Sequence, residues 1–248
     1  MARLPSPRLE LLSFGFLATL FSGFGQTYFV GLFSGRWRAE FDLGNAELGL
    51  LYSMATLASG LLVIEAGRWL DRVTLPRYTG AVVLAFAVGC VLVAIAPEAW
   101  LLVPGIFLLR LCGQGLMSHI GITTVARHWT SGRGRALSIA QLGFPAGEAL
   151  FPALLVAASA VLSWRWNWMA CAGVLLVVVL PLLLRLAARL PDVVESAAHG
   201  PEDLDRRAVL RDLRFYLVLP VVLVPPFLVT GLFFHQAAVA EAMQWPLA

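Results

Sequence analysis

The chain has 248 residues, 59% of them hydrophobic and 13% charged. Soluble domains carry about 25% charged residues, which excludes an ordinary soluble fold. The net charge of +3 sits in short segments between apolar runs, with no basic stripe on a polar face, which argues against nucleic-acid binding.

Apolar runs of about 18 or more residues mark membrane-crossing helices, and seven can be placed in chain order. A short tail, Met1 to Glu10, carries Arg3 and Arg8 and predicts a cytoplasmic N-terminus. Span 1 is expected over Leu11 to Ser34. It is rich in small residues that allow close helix packing, and it carries Gln26, Thr27 and Tyr28 near mid-depth. A balanced outer loop, Gly35 to Asn45, follows. Span 2 is expected over Ala46 to Trp69, a charged inner turn over Gly67 to Tyr78, and span 3 over Thr79 to Ala96. Pro97-Glu98 makes a short outer turn. Span 4 runs over Ala99 to Val125, and an inner loop, Ala126 to Arg135, carries Arg127, Arg133 and Arg135. Span 5 is expected over Ala136 to Leu162, an outer turn over Ser163 to Trp166, and span 6 over Asn167 to Leu190. A polar linker, 191–214, leads to span 7 over Phe215 to Met243. Arginines gather in every inferred inner loop, so the seven spans alternate without conflict with the positive-inside rule. Cys90, Cys112 and Cys171 lie singly inside apolar runs and read as small core residues.

Several short motifs fall at matching places along these spans. The inner turn between spans 2 and 3 reads Gly67-x-x-x-Asp71-Arg72-x-x-x-x-Arg77. Span 4 contains Arg110-x-x-Gly113-x-Gly115. Ser131 to Ser138 enters span 5, which contains Gly143-x-Pro145-x-Gly147, and Trp164-Arg165-Trp166 precedes span 6. In this combination the chain resembles the major facilitator superfamily, secondary transporters of twelve helices built as two six-helix halves. The inner turn departs from the family pattern at Thr74, Leu75 and Pro76. Within the superfamily, Gly25-Gln26-Thr27-Tyr28 and Phe234-His235-Gln236 look most like the monocarboxylate and oxalate/formate antiporter branch. The expected fold class is all-α: a polytopic membrane protein made of the six-helix N-terminal half-bundle (1–190), a cytoplasmic linker (191–214) and a seventh helix (215–248) that opens a second half. By the resemblance, the sequence looks like a truncated transporter or a fragment of one.

Arg110 lies about 11 residues into span 4, roughly 15 Å deep in a hydrocarbon core of ~30 Å. A central arginine costs about 2.5–3.5 kcal/mol on insertion scales, so it should face protein or water. Arg110, Gln114 and Ser118 recur at i, i+4 and i+8 as one polar stripe. The resemblance turns that stripe toward the central cavity. Two readings are open for Arg110: a cation that holds an anionic substrate, or half of a structural ion pair. Glu148, near mid-depth in span 5, is either its partner or a proton relay. Gln26 and Tyr28 are candidate cavity donors or helix–helix hydrogen-bonding groups. His119 and His235 read first as packed or interfacial histidines, although His235 of span 7 also belongs to the candidate substrate set. By the resemblance, Gly67, Asp71, Arg72 and Arg77 form a gating turn; topological anchoring is the alternative. No nucleophile–base set, metal cluster or phosphate-binding loop is present in the sequence, so no catalytic residue, metal or cofactor is expected and an enzyme is not. The expected function is secondary transport of a small organic anion such as a monocarboxylate, driven by a proton or a counter-substrate, in the plasma membrane. The expected partners are the lipid bilayer, the anion and a chain supplying further helices. The alternative is a non-transporting membrane component that binds a partner through the open face of the half-bundle.

Overall fold

The structure is a computed structural model and describes residues 7–129, 131–190 and 206–245. All regular structure among them is helical. Among the described residues, seven helices are long and apolar enough to cross a membrane: span 1 (Arg8–Phe41), span 2 (Asn45–Asp71), span 3 (Leu75–Ile95), span 4 (Ala99–His128), span 5 (Arg133–Ser159), span 6 (Trp164–Ala187) and span 7 (Leu213–Gln236). Helices satisfy every backbone polar group within the segment, which lipid requires. Most of the predicted linker, 191–205, lies outside the described residues.

Several boundaries differ from the sequence expectation, three of them in what they make of a predicted loop or turn. The predicted outer loop after span 1 is largely helix, because Ser34–Phe41 continues the span and stops only at Asp42, whose φ of 52° is left-handed. The charged turn between spans 2 and 3 is also shorter than expected. A 3-10 turn, Trp69–Asp71, extends span 2, and Pro76 sits in the first turn of span 3, where its missing N–H costs nothing. Trp164-Arg165-Trp166 is the first turn of span 6 rather than a loop, capped by the Ser163 hydroxyl, which accepts from the Trp166 N–H.

Contacts at the two ends agree with the alternating order of spans. At the arginine-rich end, Arg127 donates to Asp71, Arg189 to Glu10 at 2.8 Å, and the Arg8 guanidinium lies 5.6 Å from the Trp129 ring. At the far end, Arg165 donates to the carbonyls of Ala94 (3.0 Å) and Ala96 (2.8 Å) and to Glu40 (3.1 Å). One side chain there closes the end of span 3 and ties spans 1, 3 and 6 together.

Spans 1, 3 and 4 are the most deeply buried, and span 7 is mostly exposed. An aromatic column joins span 1 to spans 5 and 6, with Phe24 packed on Phe151 (4.6 Å between centroids) and Phe33 on Trp168 (4.7 Å). Two irregular segments cross at the centre. Span 1 breaks at Ser22–Gly25, a 3-10 turn followed by extended Gln26 (φ −77°, ψ 154°), and helix resumes at Thr27. Serine and glycine clusters are a known cause of such kinks. Opposite the break, span 4 is π-wound over Leu109–Met117. Gly25 and Gly113 meet there: a Cβ on either would stand 2.8 Å from the other's Cα. Gly25 of span 1 and Gly113 of span 4 thus mark the crossing point of the two helices.

Candidate functional site

The break in span 1 and the π-wound stretch of span 4 bring Arg110 against unwound backbone. Arg110 is 5% exposed. Its Nη1 donates to Thr27 Oγ1 at 2.9 Å and reaches the Gly25 carbonyl at 3.4 Å. Its guanidinium carbon stands 5.3 Å from the centre of the Tyr52 ring. Tyr52 Oη and Thr27 Oγ1 are 3.0 Å apart. Arg110 Nε has no hydrogen-bond partner among the described residues. Span 4 supplies the cation, the restart of span 1 supplies the hydroxyl and carbonyl, and span 2 supplies the aromatic face.

All these partners are neutral. The described ion pairs are Arg68–Glu65, Arg127–Asp71, Arg165–Glu40 and Arg189–Glu10, and none involves Arg110. The sequence expectation of an Arg110–Glu148 pair is not met. Glu148 is exposed on span 5, whereas Arg110 is enclosed by spans 1, 2 and 4. Spacing along each helix set their depth but not the face each takes. The energetics leave the cation tolerated and still charged. A charged donor to a neutral acceptor contributes about 1.5–3 kcal/mol and a desolvated cation–π contact about 2 kcal/mol. Together these offset the insertion cost, and no negative charge cancels the positive one.

The other expected residues divide by position. Gln114 is half-buried one step along span 4, and its Oε1 is without a described partner, as is Ser118 Oγ. Gln26, at the break itself, donates from Nε2 to Ser22 Oγ at 3.4 Å. Tyr28 is buried, and its hydroxyl has no described hydrogen-bond partner. That hydroxyl packs against Gly147, where a Cβ would stand 2.9 Å from it, beside Glu148 on the glycine-proline segment of span 5. His235 is exposed on span 7, with its ring 5.1 Å from Phe234. Arg110, Gln26 and Tyr28 therefore gather around the break, while Glu148 and His235 lie on exposed surfaces.

In the inner turn, Asp71 accepts from Arg127 of span 4, Gly67 lies beside the His119 ring, and Arg72 and Arg77 are exposed. His119 Nδ1 is 3.3 Å from Thr123 Oγ1, so this histidine packs within its own helix end and against span 2.

Sequence reasoning missed Tyr52. Its signal was a lone phenol beside Ser53 in the mostly apolar stretch Leu48 to Met54, in the first third of span 2. Thr27 was visible as polar but had no assigned partner. Their meeting with Arg110 depends on the packing of three separate spans.

The family model described as Major Facilitator Superfamily matches residues 15–247. No curated protein matched the chain.

Proposed function

This chain belongs to the major facilitator superfamily, and we propose that it serves as a secondary active transporter of a small organic anion, a carboxylate such as a monocarboxylate or oxalate being the class that fits best. The observation that carries the reading is Arg110: a buried guanidinium near mid-membrane, surrounded by neutral groups. A charge in that position is costly and characteristically serves a substrate or ion pathway. A carboxylate would complete it with charge-assisted hydrogen bonds. Gln114, with an unpaired oxygen, and Gln26 and Tyr28, beside the break, supply polar groups for the rest of the ligand. Broken helices at mid-depth are a recurrent way to build such sites. His235 joins this set by its place on span 7, next to Phe234.

Transport would proceed by alternating access, with residues 1–190 as one half-bundle rocking against a second half that residues 215–248 open, and 191–214 as the connecting segment. The Gly67, Asp71, Arg72 and Arg77 turn would steady one state through the Asp71–Arg127 pair. A proton or a second anion would supply the driving force, with Glu148 as the carboxylate available to couple it. The expected location is the plasma membrane with a cytoplasmic N-terminus, from the gathering of arginines at one end.

Equilibrium binding to the purified chain in lipid nanodiscs tests this reading. Radiolabelled oxalate and acetate should bind and compete with each other, while glucose and choline should not displace them. Preference for the neutral or cationic compound would sink it.

A further inference from the structure

Tyr52 is buried at the point where three spans meet. One contact of its ring is the Arg110 guanidinium, 5.3 Å away. Another is Phe234 of span 7, with centroids 4.3 Å apart and planes tilted by 32°. Its hydroxyl is held at Thr27. Span 7 meets span 1 at the same level. Gln236 Nε2 donates to the Tyr28 carbonyl at 2.7 Å, the Phe233 ring stands 6.1 Å from that of Tyr28, and a Cβ on Gly31 would lie 3.2 Å from Phe234 Cα. Span 7 is otherwise lightly held: along its helix, which continues to Ala242, Phe234 and Ala240 are the buried hydrophobic residues among those described. One aromatic ring therefore bridges the arginine cluster and the seam between spans 1 and 7.

We propose that Tyr52 is a positioning residue that couples occupancy of the Arg110 cluster to the seam between spans 1 and 7. The guanidinium holds the ring through its quadrupole. An anion forms stronger, charge-assisted bonds to the same guanidinium and draws it off the ring. The ring then loses its fixed position against Phe234, and the seam loosens. Linkage makes this reciprocal: loosening the seam changes anion affinity by the same factor. The ligand half of this inference rests on the anion reading given above; the contacts of Tyr52 with Arg110 and Phe234 do not.

The test is the rate at which a maleimide labels the purified chain carrying Ala240→Cys. The three native cysteines are buried, and the chain without the substitution gives the background. Arg110→Gln and Tyr52→Leu, each added to this parent, should speed labelling about fivefold or more, the lower end of ordinary coupling factors. Because both act through one ring, the double variant should label no faster than the faster single one. Tyr52→Phe keeps the ring and should label like the parent, which separates coupling from general damage. Equal rates throughout, accelerations that multiply in the double variant, or Tyr52→Phe behaving like Tyr52→Leu would each overturn the proposal. In the ligand arm, saturating oxalate should speed labelling of the parent and leave Tyr52→Leu unchanged while radiolabelled oxalate still binds to it. Oxalate bound to the parent without any change in its labelling also overturns the coupling. If neither oxalate nor acetate binds while the mutational pattern holds, the anion reading falls and the Tyr52 bridge stands.

Discussion

Replacing Arg110 separates its role in binding from its role in packing. In Arg110→Gln the chain loses a charged hydrogen bond to Thr27 and the cation–π contact with Tyr52. Those losses amount to about 3.5–5 kcal/mol, taking 1.5–3 for the bond and about 2 for the ring. The substitution also removes the insertion cost of a central arginine, about 2.5–3.5 kcal/mol. The two nearly cancel, so the variant should fold, with a net loss of about 1 kcal/mol. Anion binding has no such compensation. Losing a charge-assisted bond to a carboxylate removes about 1.5–3 kcal/mol, which weakens Kd by roughly 10- to 100-fold. Arg110→Lys should fall between, because an ammonium keeps the charge but lacks the fork that reaches Thr27 and a ligand together. The assay is radiolabelled oxalate binding in nanodiscs, beside a thermal unfolding curve for each variant. A folded Arg110→Gln chain that binds oxalate as tightly as the parent would refute the assignment. A variant that unfolds outright would show that the packing terms had been misjudged.

Three further outcomes follow from the packing. Gly113→Ala places a Cβ 2.8 Å from Gly25 Cα, whereas Gly134→Ala meets nothing within 4 Å. Overpacking of this kind typically costs about 1–3 kcal/mol, so the first should melt clearly below the second, and equal melting would put the helix crossing elsewhere. Arg165→Ala leaves the Ala94 and Ala96 carbonyls without their donor and should cost about 1–3 kcal/mol by detergent-titrated unfolding; loss of no more than an exposed ion pair's worth would mean water replaces the guanidinium there. The Asp71–Arg127 pair is exposed, so Asp71→Asn and Arg127→Gln should each change stability by less than about 1 kcal/mol, with a small coupling in the double-mutant cycle that shrinks in high salt. A salt-insensitive coupling of several kcal/mol would contradict that exposure.

The spans were legible because lipid imposes a length and a composition on each of them, and both survive in the sequence. Their ends were not, for local reasons. Ser34 to Phe41 reads as a polar loop with Arg36, Arg38 and Glu40, yet it continues as helix because its polar face can stand beyond the hydrocarbon. Trp164 to Trp166 reads as a turn because tryptophan and arginine mark interfaces, but the Ser163 cap starts the helix before them. The break in span 1 left a partial trace, the small residues Gly23 and Gly25. The π-wound stretch of span 4 left less, since an extra residue in a helical turn answers to packing on its neighbours rather than to composition.

The candidate site shows where such reading stops. Residue type and depth singled out Arg110 and Glu148, because a charge in lipid has to be accounted for whatever surrounds it. Pairing them was economical: two opposite charges at similar depth would each resolve the other's cost. The structure sends them to different surroundings. Arg110 is enclosed by neutral groups from spans 1, 2 and 4, while Glu148 stands exposed on span 5 next to the glycine that the Tyr28 hydroxyl packs against. The angle each residue takes around its helix decides this, and in the π-wound stretch of span 4 that holds Arg110 the angle cannot be counted off in steps of 3.6 residues. Two separate consequences replace the single pair. The arginine retains an uncancelled positive charge in an enclosed site, which is what an anion requires. The carboxylate lies on an open face at mid-depth, where contact with lipid is costly, so that face belongs with protein or water rather than with hydrocarbon. Variants of the two residues should therefore act independently: the effects of Arg110→Gln and Glu148→Gln on oxalate binding should multiply, where a buried ion pair would have made the double substitution milder than either single one.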